Sequence, residues 1–317
     1  MKEANRHWSK LSESGTVMGM KLLLAAYHIF GRLSFRIILF PVMSYYYVKN
    51  SVARHASKQY LLQIGLHTSN AKHVSLSSFK HFLTFGDIIL DKFLVWMGKI
   101  GREDVVFETP AILDRLDASE QGGIIVVSHL GNVEVCNALG QQLKNIRLTL
   151  LVSTEHAAKF NSLMDKAGSS SNIKVLQVKD ISPATAMVLS ERIEKGEYIV
   201  IASDRTPSTG QARVSNVNFL GKQALMPQGA FILGNILKCS VYLMFCLKEK
   251  GRYHIYVELF AEQLKFVRKQ RDAALTDIVQ RYANRLQYYC LKEPLQWFNF
   301  YPFWEQAVNK EEALEKS

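Results

Sequence analysis

Residues 122–139 read GGIIVVSHLGNVEVCNAL. Ile124 to Val127 form a short apolar run behind two glycines, the pattern of a strand buried on both faces in a parallel sheet. The run ends on Ser128-His129. Gly131 and Asn132 then supply a turn, and Glu134 follows the histidine by five positions. In an open α/β sheet, ligands bind at the carboxyl ends of the strands, so His129 stands where chemistry is expected. On one continuous helix, residues five apart lie about 140° apart and do not meet. A turn at Gly131-Asn132 lets Glu134 swing back under the imidazole. There it would fix the tautomer and stabilise the imidazolium, leaving the other nitrogen as a base with a pKa near ~6.5 or somewhat above. The competing reading is a structural histidine that caps the start of the next helix. Of the nine histidines, His129 alone has an acid at its fifth following position. With 28 acids in the chain the spacing by itself is weak, and the place at a strand end adds the weight.

The same pattern recurs downstream. Short apolar runs at 147–152, 173–178, 198–202 and 241–247 read as strands, and HIYVELF (254–260) alternates like an edge or antiparallel strand. Helical segments lie between them. PATAMVLSERIEKG (183–196) opens on Pro183 and closes on Gly196, MPQGAFILGNILKC (226–239) opens on Pro227, and a last long helix is expected over 272–291. Strands alternating with helices predict an α/β fold: a mixed, largely parallel central sheet flanked by helices. An N-terminal helical membrane-associated segment over 1–55 precedes an α/β domain over 56–317. The basis is the apolar stretch 22–48, which Arg32 and Arg36 interrupt and Pro41 breaks. Its clean run, Leu22–Phe30, is about half of the ~20 residues that a spanning helix wants. It reads as an interfacial anchor with basic side chains at the headgroups and the tyrosines 45–47 at the interface, a buried core helix being the alternative.

Composition narrows the partners. Apolar residues make up 48% of 317, enough for a sizeable core. Lysine and arginine outnumber acids 39 to 28, a net charge of +11 that favours an anionic partner. Nucleic acid is set aside because no reader motif accompanies the charge and the aromatics sit in apolar runs. The four cysteines are widely separated, which argues against a disulfide framework or zinc site and for a reducing compartment. No G-x-S-x-G elbow, Walker A, G-x-G-x-x-G or H-E-x-x-H occurs, so no nucleophile elbow, cofactor or metal is expected. A histidine–carboxylate pair without a nucleophile points to direct deprotonation of a substrate hydroxyl.

A second block follows the strand YIVIAS. Asp204 and Arg205 stand at its carboxyl end and are expected in the same crevice as His129, Arg205 holding a phosphate or carbonyl oxygen and Asp204 orienting it. Asn132, and Gly221-Lys222 in a turn ahead of Pro227, complete the expected substrate-binding set. Together SHLGNVE, IASDRTP, FLGKQALMPQGA and QWFNFYPFW resemble the bacterial lipid A late (lauroyl/myristoyl) acyltransferase family, within the lysophospholipid acyltransferase superfamily. The opening HWSKLSESGTVMGMKLLL and the run HFLTFGDIILDKF resemble a divergent branch encoded with aryl-polyene biosynthesis genes. The resemblance covers about residues 7 to 304. It implies an α/β fold and acyl transfer from an acyl carrier protein or acyl-CoA thioester to a lipid or glycolipid acceptor, at the cytoplasmic face of the bacterial inner membrane. It carries the histidine–acid pair over to His129 and Glu134. The family's Asp-Gln is here Asp204-Arg205, and its arginine before the central strand is missing from FNSLMDKAGSSSN, which argues against a lipid A acceptor. A non-catalytic membrane scaffold is the rival reading. The sequence sets neither the acceptor, the chain length of the donor, nor the oligomeric state.

Overall fold

A computed structural model describes residues 35–68, 76–96, 99–135, 146–152, 173–177, 182–206 and 213–305. Leu22–Phe30, Cys136 and FNSLMDKAGSSSN lie outside them. The described chain begins with three helices: α1 (35–49), α2 (Ser51–His67) and α3 (Ser78–Trp96). Residue 55 falls within α2. The elements β1 (Val105–Phe107), α4 (Pro110–Ala118) and β2 (Gly123–Val127) follow. Next come β3 (Arg147–Val152), β4 (Ile173–Gln177), α5 (Pro183–Glu194) and β5 (Glu197–Ala202). A hairpin of β6 (Val214–Phe219) and β7 (Lys222–Pro227) precedes α6 (Gly229–Leu237). The long antiparallel pair β8 (Ser240–Glu249) and β9 (Arg252–Ala261) leads to α7 (Arg271–Lys292).

Seven strands form the main sheet in the order β1-β9-β8-β2-β5-β3-β4. Every neighbouring pair is parallel except β8 with β9. β2 lies inside the sheet and is buried along its whole length, as its unbroken run of Ile and Val requires. Its successive side chains point to opposite faces. Ile124 and Val126 join a core with Leu189 of α5, Phe231 of α6, Val279 of α7 and Ile64 of α2. Ile125 and Val127 join a second core with Leu113 and Leu116 of α4 and Ile88 of α3. The fold is thus the expected mixed, largely parallel sheet flanked by helices. HIYVELF is antiparallel as expected, but it is not an edge, because β1 pairs with its other side.

The structure adds β1 and α4, which the sequence reading did not name, and redraws the stretch 214–229. Lys222 opens a strand and Pro227 closes it, and the helix starts only at Gly229. Residues 214–219 alternate buried Ser215, Val217 and Phe219 with outward Asn216 and Asn218, a strand period diluted by polar residues. The turn joining β6 to β7 needs positive φ at both central positions, supplied by Leu220 (φ 52°) and Gly221 (φ 73°). Leu220 takes that conformation while fully buried, its amide donating to Gln287 Oε1.

Helix α1 is apolar on more than one side. Phe35, Leu39 and Met43 pack on Ala53 of α2 and on Phe82, Leu90 and Leu94 of α3. Ile37, Phe40, Tyr45 and Val48 remain exposed. Among the described residues no helix is long and apolar enough to cross a membrane.

Helix α3 is tied to the rest of the molecule through His81, which is fully buried. Its ring lies against Tyr60, Phe298 and Phe300. Its Nε2–H donates to the carbonyl of Trp297 at 3.0 Å, and Nδ1 accepts from Ser57, whose oxygen accepts from Ser78. Burial drives the His81 pKa down to about 3, against the smaller opposing pull of the Trp297 carbonyl. The unfolded chain therefore binds a proton that the folded one refuses, below the ordinary value of ~6.5. Stability is complete above that value and falls with pH toward 3, by ~1.4 kcal/mol per unit. We expect urea denaturation to show this loss between roughly pH 6.5 and 5, a range above most carboxylate titrations. His81→Gln, which keeps a donor but cannot titrate, should flatten it; an unchanged slope would contradict the assignment.

Candidate active site

β2 and β5 are adjacent and parallel, with Val127 opposite Ala202. Both strands therefore end level, and the Ser203 amide donates to the Val127 carbonyl at 3.0 Å. This register sets Ser128-His129 beside Ser203-Asp204-Arg205. After His129 the chain must turn sharply. Gly131 has φ 71°, and a Cβ there would lie 1.8 Å from the carbonyl oxygen of Cys246. No other residue fits so close an approach of two backbones. The Asn132 amide donates to that same oxygen at 2.9 Å, and a short 3-10 turn spans Val133–Val135.

The aromatic C-terminal stretch closes the site as a strap. The Gly131 amide donates to the Gln296 carbonyl at 2.8 Å, and the Phe298 amide donates to the His129 carbonyl at 2.9 Å. Between them, Trp297 is buried with its ring edge-on to Tyr60, Phe219 and Phe303. Its indole N–H donates to Asp204 Oδ2 at 2.9 Å.

Asp204 is the hub. Its Oδ1 accepts from His129 Nδ1 at 2.7 Å, and its Oδ2 also accepts from the His129 backbone amide at 2.8 Å. Its side chain is fully buried. Burial alone would push the carboxyl up, but the His129 ring, its hydrogen bonds and the Arg205 charge outweigh it and hold the pKa down to about 2. Because a carboxylate can only accept, the imidazole carries its proton on Nδ1. Its Nε2 has no hydrogen-bond partner among the described residues, and the side chain is 37% exposed.

The His129 pKa lies below its ordinary value. Desolvation is the main cause, and Arg205 and Lys92 add to it, while Asp204 pulls the other way without prevailing. The sequence reading had the opposite direction, since it counted a carboxylate partner but neither cation.

Glu134 does not sit under the imidazole. Its Oε1 accepts from Lys92 Nζ of α3 at 3.0 Å. The Nδ1 position it was expected to occupy is taken by Asp204, and the 3-10 turn that begins at Val133 faces Glu134 toward α3. Asn132 is fully buried, its amide nitrogen donating to the Tyr253 hydroxyl at 3.3 Å. Tyr253 in turn donates to Asp91 of α3. Asn132 thus lies behind the crevice wall instead of at its surface. Arg205 donates from Nη2 to the Phe298 carbonyl at 2.8 Å and from Nε to Asn299 Oδ1 at 3.1 Å, anchoring the strap. Gly221 lies in the turn of the β6–β7 hairpin, against His67 of α2, and Lys222 is the first residue of β7. No hydrogen bond or ion pair joins them to His129 or Asp204 among the described residues.

The sequence reading missed Trp297, His81 and Lys92 as parts of this site. A signal existed, since QWFNFYPFW and HFLTFGDIILDKF both stand out, but nothing local says which strand end they reach.

A histidine oriented by a buried carboxylate, at the carboxyl end of a parallel sheet and with no hydroxyl or thiol bonded to its Nε2 among the described residues, has the arrangement of a general base that acts on a bound nucleophile directly. The chain matches the bacterial lipid A biosynthesis acyltransferase family over residues 82–306, well over half its length, and belongs to that family. It is therefore an acyltransferase. No curated protein matches it closely enough to lend a more particular description. The matched region contains His129, Glu134, Asp204 and Trp297, while α1 and α2 precede it.

Two substitutions separate orientation from mere presence of the base. Asp204→Asn places an amide N–H against one of the N–H donors and permits the wrong tautomer, so kcat should fall ~10²–10⁴-fold. Trp297→Phe removes one of three N–H donors and should cost ~1–3 kcal/mol of stability with a smaller loss of rate. Steady-state kinetics and urea midpoints on both variants check this; equal rate losses would contradict the ranking.

Proposed function

We propose that this acyltransferase is membrane-associated and moves an acyl chain from a carrier-protein or coenzyme A thioester to a hydroxyl or amine of a lipid or glycolipid acceptor. The observation that carries the reading is the His129 Nδ1–Asp204 hydrogen bond, which leaves Nε2 free on a side chain that is 37% exposed. Nε2 takes the proton of the acceptor O–H or N–H as the new bond to the thioester carbonyl carbon forms. The C–S bond then breaks, and the imidazolium returns the proton to the thiolate. Asp204 holds the ring and stabilises its charged form. No acyl-enzyme is required. In this reading Glu134, the acid of the family motif, contributes its charge to the same crevice, and Arg205 fixes the strap beside it.

The net charge of +11 supports an acidic carrier protein as donor. The exposed Ile37, Phe40, Tyr45 and Val48 on α1, outside a buried face that already packs on α2 and α3, support a lipid surface as the place of action. We assign the N-terminal segment to the cytoplasmic face of the bacterial inner membrane. A second acceptor class, a lipid of aryl-polyene assembly, is favoured by HFLTFGDIILDKF, the run that forms most of α3.

The direct test supplies purified protein with a panel of acyl carrier and coenzyme A thioesters on a lipid extract and reads the products by mass spectrometry. His129→Ala should lose ~10²–10⁴-fold in transfer with an unchanged circular dichroism spectrum. Activity should rise with pH as His129 loses its proton and level off early, since burial and the Arg205 charge place that loss below the ordinary histidine value. A folded His129→Ala variant with near wild-type turnover would refute the mechanism.

Surface association is tested separately. Replacing Ile37, Phe40, Tyr45 and Val48 together by serine should release a large share of the protein from sedimented anionic vesicles while acyl transfer to detergent-dispersed acceptor persists. Undiminished sedimentation would remove α1 from the membrane contact.

A further inference from the structure

Helix α3 meets the loop 129–135 with two adjacent charged residues. Asp91 is fully buried, bonded to Tyr253 and to the ammonium of Lys248. Lys92, one third exposed, pairs with Glu134 at 3.0 Å. The pair is lopsided. Glu134 Oε1 accepts from Lys92, whereas Oε2 is buried and has no hydrogen-bond partner among the described residues. A carboxylate so held serves first to fix the ammonium in place. Glu134, which holds that ammonium, belongs to the same loop 129–135 that carries His129, and the Lys92 charge is among those that lower the His129 pKa.

We propose that Lys92 is a positioning residue of the acyl-transfer site, and that Glu134 acts on the reaction through Lys92 and not by contact with His129. The inference rests on the general-base reading of His129. Its chemistry is electrostatic. A cation fixed beside the ring keeps His129 unprotonated in the resting enzyme, so that it meets the acceptor as a base. The same cation lowers the energy of negative charge as it develops on the thioester carbonyl oxygen. Glu134 holds the cation on this wall, where an unpaired lysine would point to solvent. Among the described residues the charges that act on the ring are those of Asp204 and Arg205 beyond β5 and of Lys92 on α3, which Glu134 holds. Asp91 is already neutralised by Lys248 of β8.

The test is a double-mutant cycle on the full chain, with His129→Ala in parallel. Lys92→Met keeps the length of the side chain and removes the charge. It should lower kcat roughly tenfold or more, one pKa unit of charge interaction being a tenfold effect. It should also move the acid limb of the kcat/KM profile to higher pH, because a like charge that opposes the imidazolium has gone. Lys92→Arg should restore most of the rate and return the limb. In the Lys92→Met background, Glu134→Gln should then cost little more, although alone it costs as much as Lys92→Met. A merely structural pair would lower the urea midpoint and leave the pH limb in place. Independent losses from the two substitutions, or an acid limb that Lys92→Met does not shift, would overturn the proposal. If His129→Ala is inactive while the cycle is additive, this inference alone fails. If His129→Ala stays active, the reading beneath it fails.

Discussion

A single buried carboxylate organises the molecule. Asp204 cannot carry its charge inside the fold without donors, since a buried ion left unpaired costs several kcal/mol. The donors come from two distant places in the chain, the backbone and ring of His129 and the indole of Trp297, and the charge of the neighbouring Arg205 adds to them. Each must arrive for the others to be tolerated. The register of β2 on β5 brings the first, and the strap of 296–299 brings the second. The requirement that makes the interior self-consistent is the same one that fixes the tautomer of the base. Structural and chemical roles therefore coincide at Asp204, and substitutions there act on both.

Helix α3 packs on the strap, and its sequence is built for contact at two levels. His81 and Lys92 lie eleven positions apart, about three turns, so they share a face of the helix. At one level His81 donates to the Trp297 carbonyl, one residue's backbone away from the indole that holds Asp204. At the other, Asp91 reaches Asn132 through Tyr253, and Lys92 reaches Glu134. The helix thus touches both the strap and the loop after β2 without touching the Asp204 carboxylate. Its neighbour α1 exposes Ile37, Phe40, Tyr45 and Val48, so the helix that carries Lys92 packs against the one proposed to meet lipid.

The main sheet was legible because its strands are local signals: unbroken β-branched runs between glycines, with helices of familiar capping between them. Ser182 accepting from the Thr185 amide ahead of Pro183 is one such signal, and the helix over 271–292 is another. The β6–β7 hairpin was less legible, because Leu220 at positive φ is a turn residue only in the presence of its buried surroundings. At the site, His129 was legible from its place after β2. The partner of His129 was not. Spacing favoured Glu134, five residues away, but β-sheet register brought Asp204 from seventy-five positions on, and parallel pairing of non-consecutive strands leaves no mark in local sequence. The direction of the His129 pKa was misread for the same reason, since the burial that mainly lowers it and the two cations that add to it are all supplied by parts of the chain distant in sequence.

The central claim is that Asp204 sets the tautomer and orientation of His129. Nitrogen-detected NMR of ¹⁵N-histidine-labelled protein, with the His129 signals assigned by comparison with His129→Ala, reads it directly. At neutral pH the ring should be neutral with its proton on Nδ1, that proton strongly deshielded by the bond to Asp204, and Nε2 bare. In Asp204→Asn the deshielded proton should disappear and the tautomer should shift. A ring protonated on Nε2, or a spectrum of His129 that Asp204→Asn leaves unaltered, would contradict the account.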